Sequence, residues 1–104
     1  MDVKSYWVYM VLCSDGHFYV GITNDIERRI AEHNLGTVRT CYTFGRRPVK
    51  LVHASLYFDV NEAIKWEKQL KGWGRAKKQA LIAEDWAEIR RLSHEHGHAS
   101  TRSA

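Results

Sequence analysis

The run Tyr6-Trp-Val-Tyr-Met-Val-Leu-Cys13, followed by Ser14-Asp15-Gly16 and then His17-Phe-Tyr-Val-Gly-Ile22, sets the architecture of this chain. Both flanking runs are short and rich in aromatic and β-branched side chains, which pack well on a pleated surface, so they read as strands. Ser14-Asp15-Gly16 is a turn, in which Gly16 takes the left-handed conformation that closes a three-residue hairpin loop. A loop of that length pairs Cys13 with His17, and so sets Val11 opposite Tyr19 and Tyr9 opposite Gly21. Side chains alternate between faces along a strand. Trp7, Tyr9, Val11, Tyr19, Gly21 and Thr23 therefore share one face, here the odd face, while Val8, Met10, Leu12, Phe18, Val20 and Ile22 share the other. A two-residue Asp-Gly loop would instead swap the faces of one strand.

Downstream of the hairpin, Thr23-Asn24-Asp25 starts a helix, with Asn24 three residues before Glu27 in the manner of a capping box. This helix is expected to run to Asn34 and stop at Gly36. Residues 36 to 47 are polar, with glycine, threonine and arginine, and read as a surface loop. Pro48 opens a third strand, Val49 to Phe58, and Asp59 or Asn61 caps a second helix from Glu62 to Trp73. Arg75 to Ile82 forms a third helix and Asp85 to Leu92 a shorter fourth. From Ser93 the chain loses periodicity; His94, His96 and His98 alternate there, but a loose tail explains them better than a transition-metal site. The expected fold is of the α/β (α+β) class: one domain over residues 1–92, a small, mainly antiparallel three-stranded sheet flanked by helices, with 93–104 as a flexible tail.

Composition narrows the function classes. A chain of 104 residues fits one domain, and 44% hydrophobic residues suffice for a core. The longest apolar run, Tyr6 to Cys13, is far short of a membrane span. Met1-Asp2-Val3-Lys4 leads straight into a strand, so no secretory leader is expected. Cys13 and Cys41 form neither a metal-type pair nor a disulfide framework, which fits a reducing, cytoplasmic setting. Sixteen Lys and Arg against 12 Asp and Glu give a formal charge of +4, which suits either a solvated basic surface or a nucleic-acid partner.

Two charged residues stand where the helical pattern expects hydrophobes. Ile26 and Ile30 mark the inner stripe of the first helix, and Arg29 and His33 flank it, three positions after each isoleucine. On the second helix, Ala63, Trp66, Leu70 and Trp73 define an apolar arc, and Glu67 falls inside it. A carboxylate there is paired, metal-bound or at the lip of a cleft. An Arg29–Glu67 ion pair between helices is the plain structural reading, and Tyr9 and Tyr19 have one as sheet aromatics. The functional reading is convergence: Tyr9, Tyr19, Arg29, His33 and Glu67 meet if both helices pack on the odd face.

Trp7-Val8-Tyr9 and, ten residues on, Tyr19-Val20-Gly21 resemble the paired tripeptides of the GIY-YIG nuclease superfamily. Thr23, Asp25, Arg29 and His33 match its helix pattern, and Glu67 sits where the family keeps a metal-binding carboxylate. The stretch from Tyr6 to Ile82 is similar to the small stand-alone bacterial members. Trp7 replaces the first glycine, the family's late asparagine has no clear match (Gln79 lies near the expected distance), and no appended DNA-binding domain is expected. The resemblance implies a metal-dependent endonuclease that hydrolyses phosphodiester bonds in DNA, structure-selective or weakly sequence-specific, with Mg²⁺ or Mn²⁺ on Glu67. It implies Tyr9 as general base, with Tyr19 orienting the water or phosphate, Arg29 clamping phosphate and His33 relaying the proton or holding the Tyr9 hydroxyl; a free tyrosine accepts a proton poorly, and a nearby cation and a metal would each push its pKa down. Arg46, Arg47, Lys68, Lys71, Arg75, Lys77 and Lys78 form basic spots suited to a sugar-phosphate backbone. The rival is a non-catalytic nucleic-acid-binding protein that keeps the fold.

Overall fold

The hairpin forms as its loop length requires. In the computed structural model, which describes residues 4–37 and 41–95, β1 (Tyr6–Leu12) pairs antiparallel with β2 (Phe18–Thr23). The register sets Tyr9 against Gly21 and Val11 against Tyr19. The loop closes through Cys13 N–H to the His17 carbonyl at 2.8 Å and Gly16 N–H to the Cys13 carbonyl at 2.9 Å, with Gly16 at φ 88°. The third strand, β3 (Lys50–Tyr57), adds antiparallel to the other edge of β1, giving the order β2-β1-β3. A register shift between Met10 and Val11 interrupts that second pairing.

The odd face carries a core of Tyr9, Val11, Cys13 and Val49, against which Tyr19, Ile26, Ile30 and Ala54 pack. Ile26 and Ile30 come from α1 (Ile26–Leu35), so this helix covers the odd face with the stripe its sequence predicts. The helix start differs by one residue. Asp25, not Asn24, is the N-cap: its carboxylate accepts the Arg28 N–H at 3.1 Å, and Thr23 Oγ1 accepts the N–H of Asp25 itself at 3.1 Å. The Thr23 hydroxyl holds the chain extended for one more residue, which moves the cap along.

The helix α2 (Val60–Lys71) packs on the three strands and buries Ala63 and Leu70. It starts two residues before the predicted span, because the Asp59 carbonyl already accepts the Ala63 N–H at 3.1 Å, and it ends two residues earlier, at Lys71. Neither Ala63 nor Leu70 belongs to the Tyr9 cluster. The expectation that both helices share the odd face is therefore corrected: α1 lies there, and α2 uses the face where Val8, Met10 and Val20 are buried.

The segment from Cys41 to Arg47, at the end of the predicted surface loop, keeps Tyr42, Gly45 and Arg47 exposed but folds inward at Thr43. A 3-10 turn spans Phe44–Arg46, and Thr43 and Val49 are buried. Asn34 ties it to α1, its Nδ2 donating to the Val49 carbonyl at 3.2 Å and its Oδ1 accepting the Val49 N–H at 2.7 Å.

The chain divides into two compact units, the first through Lys71 and the second from Gly72. In the second, α3 (Arg75–Ile82) and α4 (Trp86–Glu95) bury Ala80, Leu81, Ile89 and Leu92. The Asp85 carboxylate accepts the Glu88 N–H at 3.1 Å, starting α4 where the sequence places it. The helix continues to Glu95, past the predicted end at Leu92. The rest of the predicted tail, with His96 and His98, lies outside the described residues.

Candidate active site

The site is assembled from β1, β2, α1 and the Cys41–Arg46 segment. Tyr9 is on the central strand and is completely buried. Its ring crosses Gly21 on the edge strand so closely that a Cβ there would lie 2.5 Å from Tyr9 Oη. Glycine is required at that position by space, which explains its pairing with an aromatic. The crossing carries the hydroxyl to His33, one helical turn beyond Arg29 on the inner side of α1.

Three groups meet at the Tyr9 hydroxyl and beyond it. His33 Nε2 is 2.8 Å from Tyr9 Oη, and His33 Nδ1 is 2.7 Å from Thr43 Oγ1. Arg29 donates from Nε to Tyr9 Oη at 3.3 Å and from Nη1 to Glu32 Oε1 at 3.2 Å. The plain Arg29–Glu67 pairing is thus replaced by Arg29–Glu32 within α1. Tyr19 stands 6.4 Å from the Tyr9 ring and 5.3 Å, edge-on, from His33. Cys41 Sγ lies 3.4 Å from Thr43 Oγ1.

Burial sets the protonation of this cluster. It pushes Tyr9 up to about 12, and the Arg29 hydrogen bond offsets only part of that rise. The neighbouring cation lowers Tyr9 as expected, through both the hydrogen bond and the charge of Arg29, but desolvation of the buried phenolate exceeds that attraction and the net shift is upward. Burial also holds His33 below the ordinary histidine range, with the Arg29 charge acting in the same direction. Burial raises Cys41 as well, but hydrogen bonds from Thr43 and the Arg29 charge outweigh it and leave the thiol below its usual value. Arg29 itself is raised, chiefly by its bond to Tyr9.

The remaining predicted residues are placed as follows. Arg46 stacks 4.1 Å over Tyr42, which in turn stacks on Tyr19 with centroids 5.8 Å apart. Arg46 also pairs with Asp15 at 2.8 Å, stapling the hairpin loop to the 3-10 turn. Arg47 lies 4.5 Å over Phe44 and donates to the Phe44 and Asn34 carbonyls at 2.7 and 3.4 Å. Both arginines, expected as free phosphate contacts, have structural work. Lys68 and Lys71 are exposed on α2, and Lys71 pairs with Glu67 at 3.0 Å. In the second unit Arg75 is exposed, Lys77 lies 4.8 Å over Trp73 and burial lowers Lys78.

Glu67 is on α2 with a side chain 15% exposed. Among the described residues no hydrogen bond or ion pair joins it to Tyr9, Tyr19, Arg29 or His33. No group of three or more His, Cys, Asp and Glu able to hold a metal exists among the described residues either. A single carboxylate suits a hard divalent ion that keeps most of its water, but such an ion would have to displace the Lys71 ammonium from Glu67. Thr43, Cys41 and Tyr42 are the site residues that sequence reasoning missed. Their signal was a short run of β-branched, thiol and aromatic side chains, Cys41 to Phe44, inside a polar loop. No helix among the described residues is long and apolar enough to cross a membrane.

Comparison with known proteins agrees with this geometry. Residues 5–80 match the GIY-YIG catalytic domain. The UPF0213 protein of Halobacterium salinarum is 46% identical over 75 residues, 72% of this chain and 96% of the relative. That of Staphylococcus saprophyticus is 43% identical over 82 residues, 79% of this chain and 99% of the relative. The solution NMR structure of the UPF0213 protein BH0048 from Bacillus halodurans is 38% identical with a TM-score of 0.51, covering 76% of this chain and 83% of that one. The E. faecalis protein EF2693, also solved by NMR, is 36% identical with a TM-score of 0.56 over 81% and 88%. The family match spans the strands and helix that build the Tyr9 cluster, its relatives are covered nearly end to end, and the chain belongs to the GIY-YIG nuclease superfamily.

Proposed function

We propose that the chain is a divalent-metal-dependent endonuclease that hydrolyses phosphodiester bonds in DNA, with structural rather than strong sequence selectivity. The observation that carries this reading is the Tyr9 hydroxyl held between an obligate donor, Arg29, and a neutral histidine, His33. With a pKa of about 12, Tyr9 is ionised to roughly one part in 10⁵ at pH 7. It therefore works as a neutral relay: as Tyr9 takes a proton from the attacking water, its own proton passes to His33 Nε2. Tyr19, beside both rings, orients the water or phosphate. Arg29 Nη2, which makes no hydrogen bond to a described residue, is the donor for a phosphate oxygen. Mg²⁺ or Mn²⁺ would be held by Glu67 and water in competition with Lys71, and when bound it would supply Lewis-acid relief of charge on a phosphate; because α2 lies on the other face of the sheet, this assignment rests on the family resemblance and not on the Tyr9 cluster. Lys68 and Lys71, with Arg75, Lys77 and Lys78, provide backbone attraction without base reading.

The cytoplasm, where thiols such as Cys13 and Cys41 stay reduced, is the compartment we infer. The test is cleavage of branched, nicked and single-stranded DNA with Mg²⁺ or Mn²⁺, comparing the protein with Glu67→Ala. Cutting that Glu67→Ala abolishes while DNA binding persists supports the enzyme. Folded protein that binds DNA and cuts none of these substrates refutes it. One observation favours the non-catalytic reading: Tyr9 has no exposed surface, and a base must reach its water. That reading predicts identical behaviour of the protein and Glu67→Ala.

A further inference from the structure

Thr43 lies in the segment between α1 and β3, outside the tripeptides and helix positions that mark the family. It is 1% exposed, and its hydroxyl stands 2.7 Å from His33 Nδ1 on the side of the ring away from Tyr9. What it does there follows from counting protons along the cluster.

Arg29 is a donor and never an acceptor, so Tyr9 Oη accepts its Nε–H. Tyr9 is fully buried, and the only other partner of its hydroxyl among the described residues is His33 Nε2, at 2.8 Å. The phenol proton thus has one place to go. The opposite polarity, with Nε2–H aimed at Tyr9, would leave that proton buried without an acceptor, which native structures avoid. Nε2 therefore accepts, and a neutral imidazole then carries its proton on Nδ1. His33 is itself 4% exposed, so Nδ1–H also needs an acceptor, and Thr43 Oγ1 is the near one. The Thr43 hydroxyl passes its own proton toward Cys41 Sγ, 3.4 Å away. Each link has a donor and an acceptor in one consistent direction, from Arg29 to Cys41.

We propose that Thr43 is a positioning residue that holds His33 as the Nδ1-protonated tautomer, leaving Nε2 as the acceptor for the Tyr9 proton. This deepens, and for its catalytic consequence rests on, the reading of Tyr9 and His33 as a relay. Thr43 touches neither substrate nor reacting atoms; it acts through the imidazole. Valine is nearly the same size and lacks the acceptor, so Thr43→Val removes one of the two bonds that select the tautomer and leaves Nδ1–H with only the weak acceptor Cys41 Sγ at 3.9 Å. Thr43→Ser keeps both bonds.

The test is long-range proton–nitrogen NMR of the His33 imidazole in ¹⁵N-histidine-labelled protein, above pH 7, read for wild type, Thr43→Ser and Thr43→Val. We expect a single Nδ1–H pattern in wild type and Thr43→Ser, and averaged or exchanged nitrogen shifts in Thr43→Val. A wild-type His33 protonated at Nε2 overturns the proposal, as does an unchanged pattern in Thr43→Val. If Thr43→Val does not fold, the wild-type and Thr43→Ser spectra still decide between the two tautomers. In the cleavage assay Thr43→Ser should stay within about twofold of wild type and Thr43→Val fall about tenfold or more, a part of what general acid–base catalysis contributes. Should wild type cut no DNA, the relay fails as chemistry, while the imidazole signals independently uphold or overturn the role of Thr43.

Discussion

Gly21→Ala places a methyl group against Tyr9, a fully buried side chain held by two hydrogen bonds. The added Cβ would lie 2.5 Å from Tyr9 Oη, 2.7 Å from Cζ and 3.0 Å from Cε2. Ordinary contact begins near 3.4 Å, so the hydroxyl end must retreat by about 0.9 Å or the strands must part. Retreat is costly because Oη is held by His33 at 2.8 Å and Arg29 at 3.3 Å, and a shift of that size breaks at least the shorter bond. Overpacking in a core costs about 1–3 kcal/mol, and a buried hydroxyl deprived of its partners about 1–3 kcal/mol more. The expected destabilisation is therefore ~2–6 kcal/mol, a large share of a small domain's stability. Urea denaturation followed by tryptophan fluorescence measures it. With an m-value of about 1–3 kcal/mol/M, the midpoint should fall by roughly 1 M or more at unchanged slope. Tyr9→Phe removes the closest atom of the clash, so the double variant should lose less than the sum of the two singles. A Gly21→Ala midpoint within about 0.3 M of wild type would refute the claim that Tyr9 is clamped across β2.

The pH dependence of stability follows from two buried groups with opposite signs. Tyr9 is raised from 10.0 to about 12 by burial, so its contribution is full below pH 10 and is lost as pH rises from 10 toward 12, where the unfolded chain has already released the proton. Urea melts at pH 8 and 11 should show the loss, to which Cys13 and Tyr57, both raised chiefly by burial, add in the same direction, and Tyr9→Phe should reduce it. His33 is lowered below 6.5, chiefly by burial. Its contribution is full above pH ~6.5 and declines as pH falls below that, since the unfolded chain takes up a proton first; His33→Gln should flatten the slope between pH 6.5 and 5. Arg46→Ala removes a half-exposed ion pair to Asp15 and a stacked contact on Tyr42, for about 1 kcal/mol in urea after solvent screening. Because Arg46 is a staple, the slope of log binding constant against log salt for DNA should stay within about half a unit of wild type, whereas loss of a phosphate contact lowers it by about one.

Much of the site was legible because strand pairing is a local problem. Tyr9, Tyr19 and Gly21 could be placed against one another from the length of one turn, and Ile26, Ile30, Arg29 and His33 from helical spacing. Both placements hold in the fold. The helix cap moved by one residue, since Thr23, Asn24 and Asp25 all bear capping groups and only the entry angle of the chain selects among them. The side of the sheet that α2 covers was read wrongly, because an amphipathic arc says that a helix packs without saying on which face. Arg46 and Arg47 look like phosphate ligands in a polar loop, and they are occupied by Tyr42, Asp15 and Phe44 once that loop folds back.

The sequence by itself determined the antiparallel hairpin, the faces of its side chains and the inner stripe of α1, because periods of two and 3.6 residues and a turn of known length act between near neighbours. Tertiary structure alone decided that Thr43 and Cys41 stand behind His33, and that Tyr9 is raised where a neighbouring cation alone would lower it. Segments without periodicity take their geometry from distant contacts, here Asn34 to Val49. Proton affinity depends on how completely packing excludes water, a property that no single stretch of chain carries.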